Sequence, residues 1–390
     1  MAFRGFVPGM FRLCVTCSNS GFSNYISRRG HAMSAWVLDK YGGPRCLRRS
    51  SRPLPSIVLP NEVVVKVCAA SLNPIDLSMA RGYGARLLRL RRDPLRIYPT
   101  NSEFPLILGR DCSGIVMETG LSVKYFRPGD QVWLALPPWK QGTLAEFVVA
   151  SGNEISHKPK TLSHTDAASL PFVALTAYAA LTHAGGLHSH NTKGKRLGPS
   201  SRLSAFCELE LRRCLPSSSL LKAWGARVTV TCDEEAASLL SSLGTERVVT
   251  REERPAEVLR SERFDFVLDA VGGETETWAM PLLQPWCGAT YVTLVTPLLM
   301  KTDDLGLAEG FVSSTAVLGR KLISGLAGGT HYRWAFFSPS GSRLDEITTL
   351  VDSGKVQPIV EKVYQFDEVP AAFEKLERGR ARGKTVVQRA

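Results

Sequence analysis

The stretch Lys193–Cys232, KGKRLGPSSRLSAFCELELRRCLPSSSLLKAWGARVTVTC, constrains this chain more than any other. Its end is easy to interpret. Leu220–Trp224 closes a helix, Gly225 stops it, and Arg227–Thr231 is a short β-branched strand. A helix feeding a strand is the second half of a βαβ unit, whose first half is an apolar strand, a glycine-rich turn and the helix itself. Here the turn is missing. No glycine lies between Gly198 and Gly225, and Pro199, Pro216 and two serine clusters stand in its place. Glycines let a backbone approach a pyrophosphate, and prolines lack the N–H that would bind it. The expectation is an irregular segment over 197–219, with the central position of the sheet poorly filled and the barrel intact.

The flanking chain supplies the context. Its 390 residues, 44% hydrophobic and 22% charged, leave room for two domains with sizeable cores. No apolar run reaches the roughly 18 residues of a membrane-spanning helix. The formal charge is +12, part of it in a head that holds Arg4, Arg12, Arg28 and Arg29 and no acid before Asp39. An Arg-bearing, acid-free, serine-rich start reads as a mitochondrial transit peptide over residues 1–34, removed near Arg29–Ser34. The Arg81–Arg96 cluster reads as a solvated basic face. Aromatic interleaving and nucleic-acid motifs are both missing from it, so no nucleic-acid partner is expected. Of nine cysteines, Cys14 and Cys17 fall in the head, and the other seven are scattered as reduced thiols would be.

After the head, Ala35–Lys40 and Glu62–Ala70 read as strands, and the Pro- and Arg-rich segment between them reads as a loop. Asn73-Pro74 starts a turn and a short helix ending at Gly82, with Asp76 anchoring the turn. Further short strands, from Phe104–Met117 through Gly142–Ala150, describe a barrel of about a hundred residues. Leu162–Leu181 is Ala-rich and helical, broken at Pro171. Strand and helix patterns then alternate through RVTVT, EEAASLLSSLG, RVVT, FDFVLDA and ATYVTLV, the signature of a doubly wound parallel sheet. In the tail, Lys355–Tyr364 reads as an extended pair, Glu368–Glu377 as a helix and Lys384–Gln388 as a strand.

The strings NPID with the following RGY, FPLILGRDCSGIV, PGDQVW, GTLAEFVV and AASLPFVALTAY resemble the zinc-independent quinone oxidoreductase branch of the medium-chain dehydrogenase/reductase superfamily. The resemblance implies an α/β fold with a GroES-like β-barrel over 35–160, a Rossmann-like domain over 161–335 whose first βα unit is disrupted, and a return segment over 336–390. It implies that Asn73 faces a nicotinamide and that Tyr83 lines the substrate cleft. It places the cofactor against Cys232, Asp233 and Arg251, Val271 and Gly272, Leu294, Val295 and Thr296, Trp334, Phe336 and Phe337, and Arg380, Ala381 and Arg382.

Zinc-dependent relatives need a ligand His where this chain has Arg110, and a guanidinium does not ligate zinc, so no metal is expected. His183, His188 and His190 read as loop histidines. Asp233, after the second strand, favours a 2′-hydroxyl and hence NADH, whereas Arg251 suits a 2′-phosphate; the resemblance favours NADPH. It further implies a mitochondrial reductase of a quinone or enone in the ubiquinone pathway, in the matrix or at the outer membrane. The second reading is a catalytically impaired interaction protein that binds a reticulon-type membrane protein. The family pattern stops at Arg196 and returns at Lys222, in the manner of a shifted reading frame or a wrongly joined exon.

Overall fold

The structure, a computed structural model, describes residues 32–92, 103–192, 203–208, 211–379 and 382–389. The head up to residue 31, part of the interrupted segment, and Arg380 and Ala381 lie outside the described residues. The barrel is built from β1 (Ala32–Leu38), β2 (Leu47–Pro53), β3 (Glu62–Leu72), α1 (Pro74–Ala80), α2 (Ala85–Arg92), β4 (Leu106–Ile107), β5 (Asp111–Thr119), β6 (Gln131–Ala135), β7 (Phe147–Ser151) and β8 (Ile155–His157). β3 is the hub. Its β-branched run Val63–Val65 and Val67 is buried, and it pairs antiparallel with both β5 and β7.

Two expectations need correction here. The Pro- and Arg-rich segment expected to be a loop is β2, antiparallel to β1 from Ala32↔Pro53 to Leu38↔Leu47. It is an edge strand, with Leu47 inward, Arg48 and Arg49 exposed and Pro53 last, so charge and proline mask its strand character. In addition, β1 starts at Ala32, so the boundary at Ala35 falls within a paired strand.

The second sheet follows. Its elements are α3 (His164–Ala168), α4 (Pro171–Ala179), β9 (Ser204–Glu208), α5 (Leu211–Ala223), β10 (Arg227–Cys232), α6 (Glu234–Ser242), β11 (Arg247–Thr250), β12 (Phe266–Asp269), β13 (Thr290–Thr293), α7 (Leu298–Leu305), α8 (Leu307–Ala327) and β14 (His331–Trp334). Pro171 is the first residue of α4, where its missing N–H is not needed. The strand order is β11-β10-β9-β12-β13-β14, and every pairing is parallel.

β9 therefore fills the centre of the sheet, contrary to the expectation of an irregular segment. Ala205, Phe206 and Cys207 are fully buried, and the strand pairs with β10 on one side and β12 on the other. A strand covered on both faces needs apolar side chains and two partners; a β-branched run is not required. α5 also forms, although Pro216 lies inside it and removes one backbone donor. Leu220, Leu221 and Trp224 bury its far end against the sheet.

The chain then returns through α9 (Gly341–Asp352), β15 (Val360–Gln365), α10 (Val369–Glu377) and β16 (Lys384–Gln388). The expected extended pair over Lys355–Tyr364 is the single strand β15. β16 lies antiparallel to β3, from Thr385↔Leu72 to Gln388↔Ala69. The last strand of the chain thus completes the first domain, beside the residue that follows β3.

Candidate active site

Asn73 follows β3 and caps α1, and it is fully buried. Its backbone N–H donates to Asp76 Oδ2 at 2.8 Å, and the N–H of Gly109 donates to Asp76 Oδ1 at 2.8 Å. Gly109 has φ +87, and a Cβ there would lie 2.5 Å from Thr143 Oγ1, so only glycine fits this approach. Asp76 anchors the turn, as the sequence reading has it. Burial drives its carboxyl up to about 6 against the opposing pull of Arg110 and of the two N–H donors.

Arg110 is itself fully buried. Its guanidinium donates to the carbonyls of Pro137, Lys140 and Ile107 at 3.1, 2.9 and 3.0 Å, and its Nε lies 3.6 Å from Asp76 Oδ1. Burial lowers its pKa to about 10, still well above neutrality. A fixed cation therefore stands between Gly109 and Asp111. Among the described residues no three His, Cys, Asp or Glu side chains converge as metal ligands. His188 and His190 stack on each other in their loop, ring centroids 5.3 Å apart.

The side chain of Asn73 is held by a second set of groups. Its Nδ2 donates to Asp111 Oδ1 at 2.9 Å, and its Oδ1 accepts from Lys384 Nζ at 2.5 Å. Asp111 is fully buried and also accepts from Ser71 Oγ at 2.6 Å and from the backbone N–H of Phe172 at 3.1 Å. Lys384 Nζ lies 3.9 Å from its other oxygen. Burial raises the Asp111 carboxyl, and Lys384 is the largest influence opposing this. Three parts of the chain thus meet on one carboxylate: Ser71 and Asn73 from the barrel, Phe172 from the start of α4, and Lys384 from β16. Phe172 in turn stacks on Phe337, centroids 4.3 Å apart and planes 17° apart.

The strand ends of the parallel sheet supply the other side. Thr231, Glu208, Asp269, Thr293 and Trp334 are direct neighbours across five strands. Every described residue expected to touch the cofactor from 232 to 337 follows one of these ends within a few positions, except Arg251, which follows β11. Cys232 is buried, and burial first, then Asp233, pushes its thiol up to about 11, so it stays a neutral thiol. Asp233 and Arg251 form an exposed ion pair at 3.2 Å, and Arg382 reaches from the return segment to Glu235 at 3.6 Å. The turn after β12 is locked: Asp269 Oδ1 accepts from the N–H groups of Val271 and Gly272, and its Oδ2 accepts from the hydroxyls of Tyr291 and Thr293. Gly272 has φ +77, and a Cβ there would sit 2.9 Å from Val295. Val295 and Phe336 are exposed, whereas Leu294, Thr296, Trp334 and Phe337 are half-buried.

Tyr83 sits half-buried in the turn after α1, its N–H donating to the carbonyl of Ser78 at 3.0 Å. The next residue, Gly84, donates its N–H to Asp303 of α7 at 2.5 Å, tying this turn to the sheet domain.

These groups fit a nicotinamide dinucleotide at its two ends. Cations and acids follow β10 and β11, and aromatic rings and a fixed amide stand at Phe172, Phe337 and Asn73. The middle does not fit. β9 ends in Glu208 and α5 begins at Leu211, with no glycine between them and a second acid, Glu210, in the connection. Sequence reasoning missed Asp111 as a site residue and missed that Lys384 meets Asn73. The available signals were the acid of the Gly109-Arg110-Asp111 string and a lone lysine opening an otherwise uncharged strand.

Residues 59–160 match the model of the alcohol dehydrogenase GroES-like domain, and residues 243–387 match that of the zinc-binding dehydrogenase family. The chain is 54% identical over 377 residues to the NAD(P)H oxidoreductase RTN4IP1, mitochondrial, of Danio rerio, covering 95% of each. It is 32% identical over 366 residues to the Reticulon-4-interacting protein 1, mitochondrial, of Caenorhabditis elegans, covering 93% of this chain and 97% of that one. Among solved structures, the quinone oxidoreductase from Coxiella burnetii superposes with a TM-score of 0.71 at 26% identity, covering 92% of this chain and 99% of the other. With this fold, this site and these relatives, the chain belongs to the medium-chain dehydrogenase/reductase superfamily, in the family of the mitochondrial NAD(P)H oxidoreductases that include reticulon-4-interacting protein.

Proposed function

We propose that this mitochondrial oxidoreductase reduces a quinone or a related enone, with a ubiquinone-type ring as its acceptor and NADPH as its donor. Membership of the family makes the chain an oxidoreductase that uses a nicotinamide cofactor. The observation that carries the finer reading is that a buried Arg110 and a rigidly held Asn73 share the Asp76 carboxylate. An alcohol or simple ketone needs a Lewis acid to become a good hydride partner, whereas a quinone or enone is activated by its own conjugation and needs only a hydrogen-bond donor at oxygen. Here a fixed cation stands at the ligand position, and the site offers a rigid amide. Phe172, Phe337 and Phe336 supply flat apolar surface for a ring.

When bound, the cofactor supplies the hydride. Arg251 and Arg382 would hold a 2′-phosphate, the segments Val271–Gly272 and Leu294–Thr296 would line its length, and Asn73 would orient the reacting end. The test is oxidation of NADPH and of NADH by the purified chain with 1,4-naphthoquinone, with cyclohexanone as the contrast. Quinone reduction with NADPH preferred, and no reduction of cyclohexanone, is expected. Turnover of cyclohexanone with none of the quinone would overturn the reading.

A second reading, an interaction protein that binds a reticulon-type membrane protein, is favoured by one observation: the glycine-free β9–α5 turn with its two acids. It predicts no saturable NADPH binding and capture of a reticulon-4 membrane segment. Saturable NADPH binding without such capture would remove it.

A further inference from the structure

Four buried charges surround Asn73 in two pairs. Asp76 and Arg110 hold its backbone N–H, and Asp111 and Lys384 hold its side-chain amide. Buried ion pairs of this kind contribute little net stability, because desolvation offsets most of the attraction, so their value lies in fixing geometry. The chemistry of the second pair settles which way the amide faces. An ammonium only donates and a carboxylate only accepts, so Lys384 must meet the amide oxygen and Asp111 the amide nitrogen. The oxygen then faces the ammonium, which takes one of its lone pairs. One amide hydrogen is spent on Asp111, and the described residues give the other no acceptor.

We propose that Lys384 is a positioning residue that sets the polarity of Asn73, so that the site presents a hydrogen-bond donor, never an acceptor, to a carbonyl oxygen of its ligand. This rests on the reading that Asn73 faces the ligand. The carbonyl belongs either to the carboxamide of the nicotinamide or to the quinone, and both are the same acceptor chemistry. The groups that face Asp111 are Ser71, Asn73, the N–H of Phe172 and Lys384, with the Asp76–Arg110 pair as the nearest other charges. Without Lys384 the carboxyl keeps only neutral donors and that distant cation. It then takes up a proton more readily, and a protonated Asp111 no longer obliges the amide to donate.

The experiment uses the full chain and three substitutions. Lys384→Gln is one bond shorter and keeps hydrogen bonding, but its amide both donates and accepts, so the polarity is lost. Lys384→Arg keeps a donor-only cation. Asn73→Ala removes the amide. NADPH affinity by calorimetry and kcat/KM for 1,4-naphthoquinone are measured for each, with the pH profile of the second. Lys384→Gln is expected to lose about tenfold in one of the two quantities, as a hydrogen bond to a charged or developing oxygen would. A loss in NADPH affinity assigns the carboxamide, and a loss confined to kcat/KM assigns the quinone. The acidic limb of its pH profile is expected at higher pH than in the native chain, and Lys384→Arg is expected to restore both.

Native behaviour of Lys384→Gln alongside a damaged Asn73→Ala sinks the inference alone. Native behaviour of Asn73→Ala sinks the reading of the site beneath it. Equal damage from Gln and Arg at 384 means a packing role and also overturns the proposal. Should Lys384→Gln fail to fold, the native chain decides through the amide protons of Asn73 in nitrogen-15 spectra, assigned by their loss in Asn73→Asp. One proton of the pair is expected to move when NADPH or the quinone is added, and an unmoved pair overturns the proposal.

Discussion

The barrel side and the sheet side of the cleft are tied down to very different degrees. Around Asn73, each of the four charges is buried and has a partner, and the Asn73 amide has one orientation open to it. Across the cleft, Asp233, Arg251 and Arg382 are exposed and make loose ion pairs, and the turn between β9 and α5 lacks the glycines that would bring a backbone against a pyrophosphate. The difference teaches that a βα unit and its phosphate chemistry are separate properties. Three buried apolar residues, Ala205, Phe206 and Cys207, are enough to build the strand, and α5 packs behind it. Binding an anion asks for something more: N–H groups exposed in a row and room to approach them.

The largest expected effect sharpens the contrast on the barrel side. Arg110→Met leaves Asp76 buried without its counter-charge, and chemical denaturation should record a loss of about 3–5 kcal/mol. Arg251→Ala on the sheet side, an exposed pair, should lose less than about 1 kcal/mol. Equal losses would break the comparison. The pH dependence has a definite sign. Burial holds the Asp76 carboxyl at about 6, above its ordinary 3.8, so the folded chain binds that proton more tightly than the unfolded one. This residue therefore favours folding below its unfolded value, and the contribution is withdrawn as pH climbs through about 6. In Arg110→Met the same withdrawal should end at a higher pH.

Next in size is the turn itself. Replacing residues 209–213 with a glycine-rich turn, while keeping β9 and the rest of α5, should tighten NADPH binding by about a hundredfold. Calorimetric titration of both proteins measures it. Equal affinity would mean that the two ends of the cofactor suffice and that the sheet side is less deficient than its sequence implies. A smaller effect separates the cofactors: Arg251→Ala should weaken NADPH by about tenfold and leave NADH within about twofold, as loss of a single phosphate contact would. Loss of both to the same degree would place Arg251 away from the 2′-phosphate. The smallest effect is expected at the amino terminus. Protein recovered from mitochondria should begin within Arg29–Ser34, and its thermal midpoint should match that of the uncut chain. A mature species that retains Met1 would refute the transit peptide.

Much of the fold could be read from the sequence because period and punctuation agree in most elements. Lys384–Gln388 is a strand with the bounds its β-branched Thr-Val-Val run indicates, and the parallel strands after residue 227 follow their own β-branched runs. Two strands were hidden for opposite reasons. β2 carries Arg48, Arg49 and Arg52, because an edge strand can keep its side chains in water. β9 sits in a stretch whose prolines and serines suggest disorder, and its identity as a strand comes from its two neighbours, which lie 19 or more residues away in sequence. The candidate site was half legible. Asn73 and Asp76 lie in one short string, so local turn chemistry exposes them. Lys384 and Asp111 act through burial and long-range contact, which one acid in a short string and one lysine at the start of a strand do not reveal by themselves.

The bond from Lys384 to Asn73 spans 311 residues of sequence. During synthesis at roughly 5–20 residues per second, the amide therefore precedes its ammonium by about 15–60 s. Over that interval the nascent barrel carries a carboxylate destined for the interior with no cation to meet it. β3 lacks the neighbour that covers its final residues, and the edge is open to cellular folding helpers or to misassociation. Only when β16 has been made and has paired with β3 can the ammonium reach the amide, so the first domain waits on the second for its own completion.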